Sequence, residues 1–223
     1  MTPSERLEHL YGIAAVSLSK RSVRGKENRA RVDEICRSAS NRACVRLLMA
    51  CMLAKLDRPE SDPRKPYTEI GTPDSFSGRS FDEQHVGRFV LSHRLPCNST
   101  TAFLTPVLRN IATAITPDVV LIGKPRHLYA YTQLVLNEVA ENRESAESVL
   151  KDVIRILVQI RDERLTRLAQ LQSELRSGAD AITPSAETIV SLMRKHLDDP
   201  GSSRLPVLIV AAAYMSAADR LGT

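Results

Sequence analysis

The chain has 223 residues, 43% of them apolar and 26% charged, with 31 Lys and Arg against 26 Asp and Glu for a net charge of +5. That balance fits a globular protein with one large core or two small ones. Its longest apolar run, Leu205 to Met215, is far below the roughly 20 residues of a membrane helix, and no N-terminal basic and apolar pair marks a signal peptide, so no membrane contact and a cytoplasmic location are expected.

Taken in chain order, the pattern predicts helix after helix. Leu7, Leu10, Tyr11, Ala14, Ala15 and Leu18 recur at spacings of three and four, predicting a helix over 3–18 capped by Thr2 or Ser4. A basic connector broken by Gly25 follows. One long helix is expected from Arg29 to Leu56, apolar on most sides after Ala43 and therefore central. Pro59, Pro63, Pro66 and Gly71 make 57–72 a loop. Ser80 and Glu83 read as a capping box opening a helix to about Arg94, which Leu95 and Pro96 break. A short helix is expected within 101–111, and Asp118 to Ile122 is the best strand-like run. Pro125 opens a helix to Ala140. Glu144 to Ser177 forms a long helix with an apolar stripe from Val149 to Leu175, stopped by Gly178. Two further helices, Thr183 to Asp199 and Leu205 to Leu221, complete the chain. The expectation is a mainly α, multi-helix bundle with at most a minor β element. It forms a single helical domain over 1–223, loop-rich at 57–80 and 95–125.

Charge is unevenly spread. Lys20 to Arg46 holds nine basic and three acidic residues, net +6, whereas 141–180 holds seven against eight. The basic stretch, with Lys20, Arg21, Arg24 and Lys26, suits sequence-independent phosphate binding; an ordinary solvated helix face with an exposed linker reads equally well. The stretch from Asp74 to Asn110 mixes Ser, Thr, Asn and Arg between apolar anchors. Arg79, Asn98, Thr100, Thr101, Arg109 and Asn110 are the side-chain types that bond phosphates and base edges. The competing reading is a structured loop whose polar groups satisfy its own turns.

No catalytic signature is complete. Cys36, Cys44 and Cys51 stand eight and seven apart without a C-x-x-C pair, which reads as buried free thiols rather than a zinc site. His85 and His93 lack further ligands, and His127, at a helix start, suits a phosphate contact. Asp118, a short apolar run and then Gly123 and Lys124 look like part of a metal-dependent nuclease signature, but Ile122 stands where its second carboxylate belongs. Asp118 reads instead as a turn residue.

Three blocks carry a family likeness: Arg46-Leu-Leu-Met-Ala-Cys-Met-Leu-Ala-Lys with Asp62-Pro63-Arg64 after it, Phe76-Ser-Gly-Arg-Ser-Phe-Asp-Glu, and Arg204-Leu-Pro-Val-Leu-Ile-Val-Ala-Ala-Ala-Tyr. Together they resemble the N-terminal helical region of the SacI-like type II restriction endonucleases. The resemblance implies a DNA-binding and specificity role with double-stranded DNA as partner, and it admits a homodimer. The nuclease residues are expected in a module beyond Thr223, so no catalytic residue carries over. No cofactor is expected in this chain, and Mg2+ is expected for the full nuclease. A helical scaffold that binds protein partners through the 144–177 stripe is the alternative from a different class. A complete small metal-dependent nuclease using Asp118 with Asp74 or Glu138 is a third.

Overall fold

The computed structural model describes residues 1–18, 21–38, 42–109 and 111–179, with 187, 190, 191 and 194. Lys20, Asn110, most of the expected 183–199 helix and all of the 205–221 helix lie outside the described residues. The chain divides into two compact units, Met1–Arg164 and Leu165–Thr223. Among the described residues the fold is mainly helical and contains no strand, and no helix is long and apolar enough to cross a membrane.

In the first unit, α1 (Pro3–Val16) starts with a capping box: the Thr2 hydroxyl accepts from the Glu5 amide while the Glu5 carboxylate accepts from the Thr2 amide. The expected 29–56 helix is two helices, α2 (Lys26–Arg37) and α3 (Ala43–Asp57). The sequence between them, Ser38-Ala-Ser-Asn-Arg42, carries three side chains that compete with helical backbone bonding. Every residue of α3 from Ala43 to Ala54 is buried. It is therefore the axis around which α1, α2, the 78–92 helix and α6 (Arg126–Ala140) pack.

The 78–92 helix does not start from a Ser80 box. Ser77 is its N-cap, accepting from the Ser80 amide, and the helix runs as α4 (Gly78–Phe81), a π turn (Asp82–Val86) and α5 (Gly87–Ser92). Gly78 is required by close packing, since a Cβ there would lie 2.4 Å from the Phe103 ring and 2.7 Å from Pro66. In place of the expected 101–111 helix stand a short 3₁₀ turn, Ala102–Leu104, and a further turn at Thr105–Arg109.

The expected 118–122 strand is a turn followed by irregular chain. The Gln133 amide of α6 donates to the Thr116 and Val119 carbonyls at 2.7 Å each. Backbone acceptors that a partner strand would have taken are thus bonded by a side chain, and Val120 and Ile122 point to solvent. Asp118 lies in this turn, where the Thr116 hydroxyl holds its carboxyl below the usual carboxylate range.

Helix α7 spans Ala146–Ala179. Within the first unit, Val149, Val153, Ile156 and Leu157 are fully buried, so this part of the stripe is core. α7 also organises the basic connector through its backbone. The Asp152 carboxylate accepts from the Ser22 and Val23 amides, Glu144 accepts from the Arg24 amide, and Arg155 and Gln159 donate to the Leu18 carbonyl. In the second unit α7 continues through Ala179, with Leu165 and Leu168 exposed.

Cys36, Cys44 and Cys51 are buried free thiols, and burial pushes Cys44 up to about 12, which leaves it unreactive at neutral pH. Leu48→Ala in α3 should destabilise the protein by about 2–5 kcal/mol, whereas Leu168→Ala should change it by less than about 0.5 kcal/mol. Denaturant unfolding of both variants checks this contrast.

Candidate functional site

The polar centre of the first unit is an ion pair that water hardly reaches. Arg46 and Asp82 are 3% and 0% exposed, with Nε donating to Oδ1 at 2.8 Å. The remaining oxygen of Asp82 accepts from the Thr101 hydroxyl and, at 3.2 Å, from the Ala102 amide. Nη1 of Arg46 donates to the Asn98 and Ser99 carbonyls at 2.9 and 3.0 Å. Burial pushes the Asp82 carboxyl above its ordinary range, and the Thr101 hydroxyl and Arg46 pull it back. The π turn places Asp82 here: its carbonyl accepts from the Gly87 amide, five residues on, which widens the helix at this point. Gly87 completes the fit, because a Cβ there would lie 2.7 Å from Arg46 Nη2.

The clamped 97–104 loop and the 83–95 segment enclose an open groove of about 680 Å³, floored by Arg46 and lined by Arg88, Leu91, Arg94, Asn98 and Ser99. Its charges do not cancel. Arg46 is neutralised by Asp82, and Glu83 at the rim is paired with Arg79 at 2.9 Å. Arg88 and Arg94 are exposed and have no acidic partner among the described residues, so they set the sign of the groove.

Arg94 is also conformationally unusual. It follows α5 in the left-handed region with φ 51°. The Leu95 amide bonds the Val90 carbonyl and the Arg94 amide bonds the Leu91 carbonyl, a Schellman ending with the buried Val90–Leu95 pair as its apolar closure. The same ending after α6 uses Asn142 at φ 56°, a side chain that tolerates that conformation. A long β-carbon-bearing side chain in this position costs about 1–2 kcal/mol relative to the right-handed form.

The residues expected from sequence to contact a polyanion are dispersed. Asn98 lines the groove, and Arg79 stands at its rim bound to Glu83. Thr100 is exposed. Thr101 is not a surface group: it is 5% exposed and its hydroxyl is committed to Asp82. Arg109 is exposed after the Thr105–Arg109 turn, away from the groove lining. In the connector, Arg21 pairs with Asp33 at 3.0 Å, while Arg24 and Lys26 are exposed. Arg24 is anchored at Glu144, just before α7, and the His93 carbonyl beside Arg94 is anchored at Arg161. From the first residue of α7, Ala146, to Arg161 is about 23 Å at 1.5 Å per residue, so the connector does not join the groove in one patch.

Sequence reasoning missed Arg46, Asp82, Arg88 and Arg94. The available signal was Arg94 immediately before Leu-Pro at a helix end, where Gly or Asn is usual. His85, His93 and His127 are each occupied by protein groups: His85 by Ser4, His93 by Glu8 with Tyr11 stacked at 3.9 Å, and His127 by Glu34. Glu34 thus stands where a phosphate contact was expected. Asp118, Asp74 and Glu138 do not converge, since Asp74 pairs with Lys65 and Glu138 with Arg143. Among the described residues no group of three or more metal-ligating side chains forms.

Asp82→Ala, which leaves the Arg46 charge buried and unpaired, should destabilise the first unit by about 3–5 kcal/mol in chemical denaturation. Arg94→Gly should instead stabilise it by about 1 kcal/mol, seen as a higher denaturation midpoint. No family model, no curated protein and no solved structure matches the chain.

Proposed function

We propose that this chain is the DNA-contacting helical part of a type II restriction endonuclease, and that the Arg88–Arg94 groove is its grip on the duplex. The observation that carries this reading is the pair of exposed arginines without acidic partners in a groove whose other charges are paired internally. Arginine binds phosphate oxygens or the guanine edge in bidentate fashion. Asn98 and Ser99, on a loop whose backbone Arg46 holds still, add short donors and acceptors beside them. A residue kept in an unfavourable backbone region while presenting its charge to a groove is where function and stability pull apart.

The family likeness supports the same reading from the sequence, because two of its blocks supply the clamp: Arg46 opens one and Asp82 lies in another. Hydrolysis is assigned to carboxylates outside the described residues, with Mg2+ belonging to that separate centre. Arg109 remains a second basic contact on the same loop-rich stretch.

Fluorescence anisotropy with a pool of random-sequence duplexes tests the proposal. Wild-type binding should fall steeply with salt. Arg88→Ala and Arg94→Gly should each lower affinity about tenfold and reduce the log–log salt slope by about 1. The Arg94→Gly protein should lose binding while gaining stability, a combination that misfolding cannot produce. Wild-type protein that fails to bind, or binds independently of salt, overturns the reading. The partner-scaffold alternative rests on exposed Leu165 and Leu168; multi-angle light scattering that returns a strict monomer that shifts only on DNA removes it.

A further inference from the structure

The Arg88–Arg94 groove is lined by apolar residues that a phosphate grip does not use. Leu91 comes from its helical wall and Leu104 from its loop wall, and they are 80% and 48% exposed. Val90 and Leu95, which are buried, add further apolar atoms to the lining. Single exposed leucines need no explanation. Two that line one concavity, with charged groups beside them, mark a surface that receives an apolar body.

A concave site admits only what stands out from a duplex, which is a phosphate ridge or a nucleotide turned out of the stack. A phosphate ridge satisfies Arg88 and Arg94 but sets charged, hydrated groups against Leu91 and Leu104. An extruded nucleotide satisfies both sets, because its base has two apolar faces and the phosphates on either side carry the charge. The edge of such a base also finds a partner. Asn98 lines the groove with its carbonyl bonded by Arg46, while its side-chain amide has no hydrogen-bond partner among the described residues. An amide of this kind meets a base edge with one donor and one acceptor. Arg88 and Leu91 stand three apart on α5 and so are neighbours on one helix face, which sets a phosphate contact beside a base contact.

We infer that the groove takes an unstacked nucleotide of a DNA strand, with its base against Leu91 and Leu104, its edge on the Asn98 amide and the flanking phosphates on Arg88 and Arg94. The inference rests on the reading of this groove as a DNA grip and names what the grip receives. Taking a base out of the stack costs free energy, and a bulged nucleotide has already lost its pairing. The groove therefore favours a duplex with one unpaired nucleotide over a fully paired one. The preference comes from apolar contact rather than charge, so salt weakens both complexes and leaves their ratio nearly unchanged.

Fluorescence anisotropy of the full chain with two labelled duplexes is the test, one fully paired and one identical except for a single bulged 2-aminopurine. The bulged duplex should bind about tenfold tighter, and 2-aminopurine emission should rise as the base leaves its neighbours. Leu91→Ala, at an exposed position outside the core, should bring the ratio of affinities close to one and abolish the rise. Asn98→Ala should lower the ratio several-fold. Arg88→Ala should weaken both duplexes in parallel and keep the ratio. Equal affinities for the two duplexes, or a wild-type ratio retained in Leu91→Ala, overturn the inference and leave the groove as a grip on paired DNA. Wild-type protein that binds neither duplex overturns the grip itself, so the two conclusions fail by different results.

Discussion

Arg46 and Asp82 carry opposite full charges into a region that excludes water, and the first unit is arranged so that neither is left alone. The desolvation of two such ions is offset only where geometry is good and the remaining donors and acceptors are bonded. Here the requirement propagates outward. The Asp82 carboxylate recruits Thr101 and the Ala102 amide, Arg46 recruits the Asn98 and Ser99 carbonyls, and the 97–104 loop is thereby fixed to α3 and the π turn. A loop of this composition would otherwise be free to sample many conformations. The groove exists because its far wall is held by a charge pair behind it.

A comparable logic operates at α7. There, the acids receive backbone amides, Asp152 while also facing the buried Arg155 guanidinium, so the connector is ordered while Arg24 and Lys26 stay exposed at the surface. The two devices divide the polar work of the fold. One pairs side chain with side chain and shapes a concavity; the other pairs side chain with backbone and lays an irregular segment along a helix. Apolar packing around α3 supplies the bulk of the cohesion, but it specifies neither the groove nor the path of the connector.

Much of the architecture was legible from the chain alone. α1, α6 and α7 announce themselves through a cap candidate at Thr2 or Ser4, through Pro125 at a helix entrance, and through three-and-four spacing of Leu, Val and Ile. The centrality of α3 followed from a run with no polar face. Errors arose where a local signal had a tertiary competitor. Ser80 with Glu83 imitates a cap, yet Ser77 provides it, and Glu83 pairs with Arg79 instead. Asp118 to Ile122 has the apolar content of a strand, but Gln133 reaches its carbonyls first. The site was harder still. Thr101 looked like a surface hydroxyl because nothing in its neighbourhood reveals that Asp82, nineteen residues away, will need a donor. Arg94 owes its conformation to the closure of Val90 on Leu95, a contact that exists only once the helix has stopped.

The widened turn at 82–86 has an evolutionary corollary. It accommodates one residue more than a regular helix would use, so losing a single residue there would restore ordinary helical winding without breaking the helix. The Gly87 amide would then bond the Asp82 carbonyl four residues back instead of five, and Arg88 and Leu91 would keep their side of the axis. Loss of one residue in this short window should therefore spare both the scaffold and the surface it displays, whereas a point substitution at Asp82, the buried partner of Arg46, should not be tolerated.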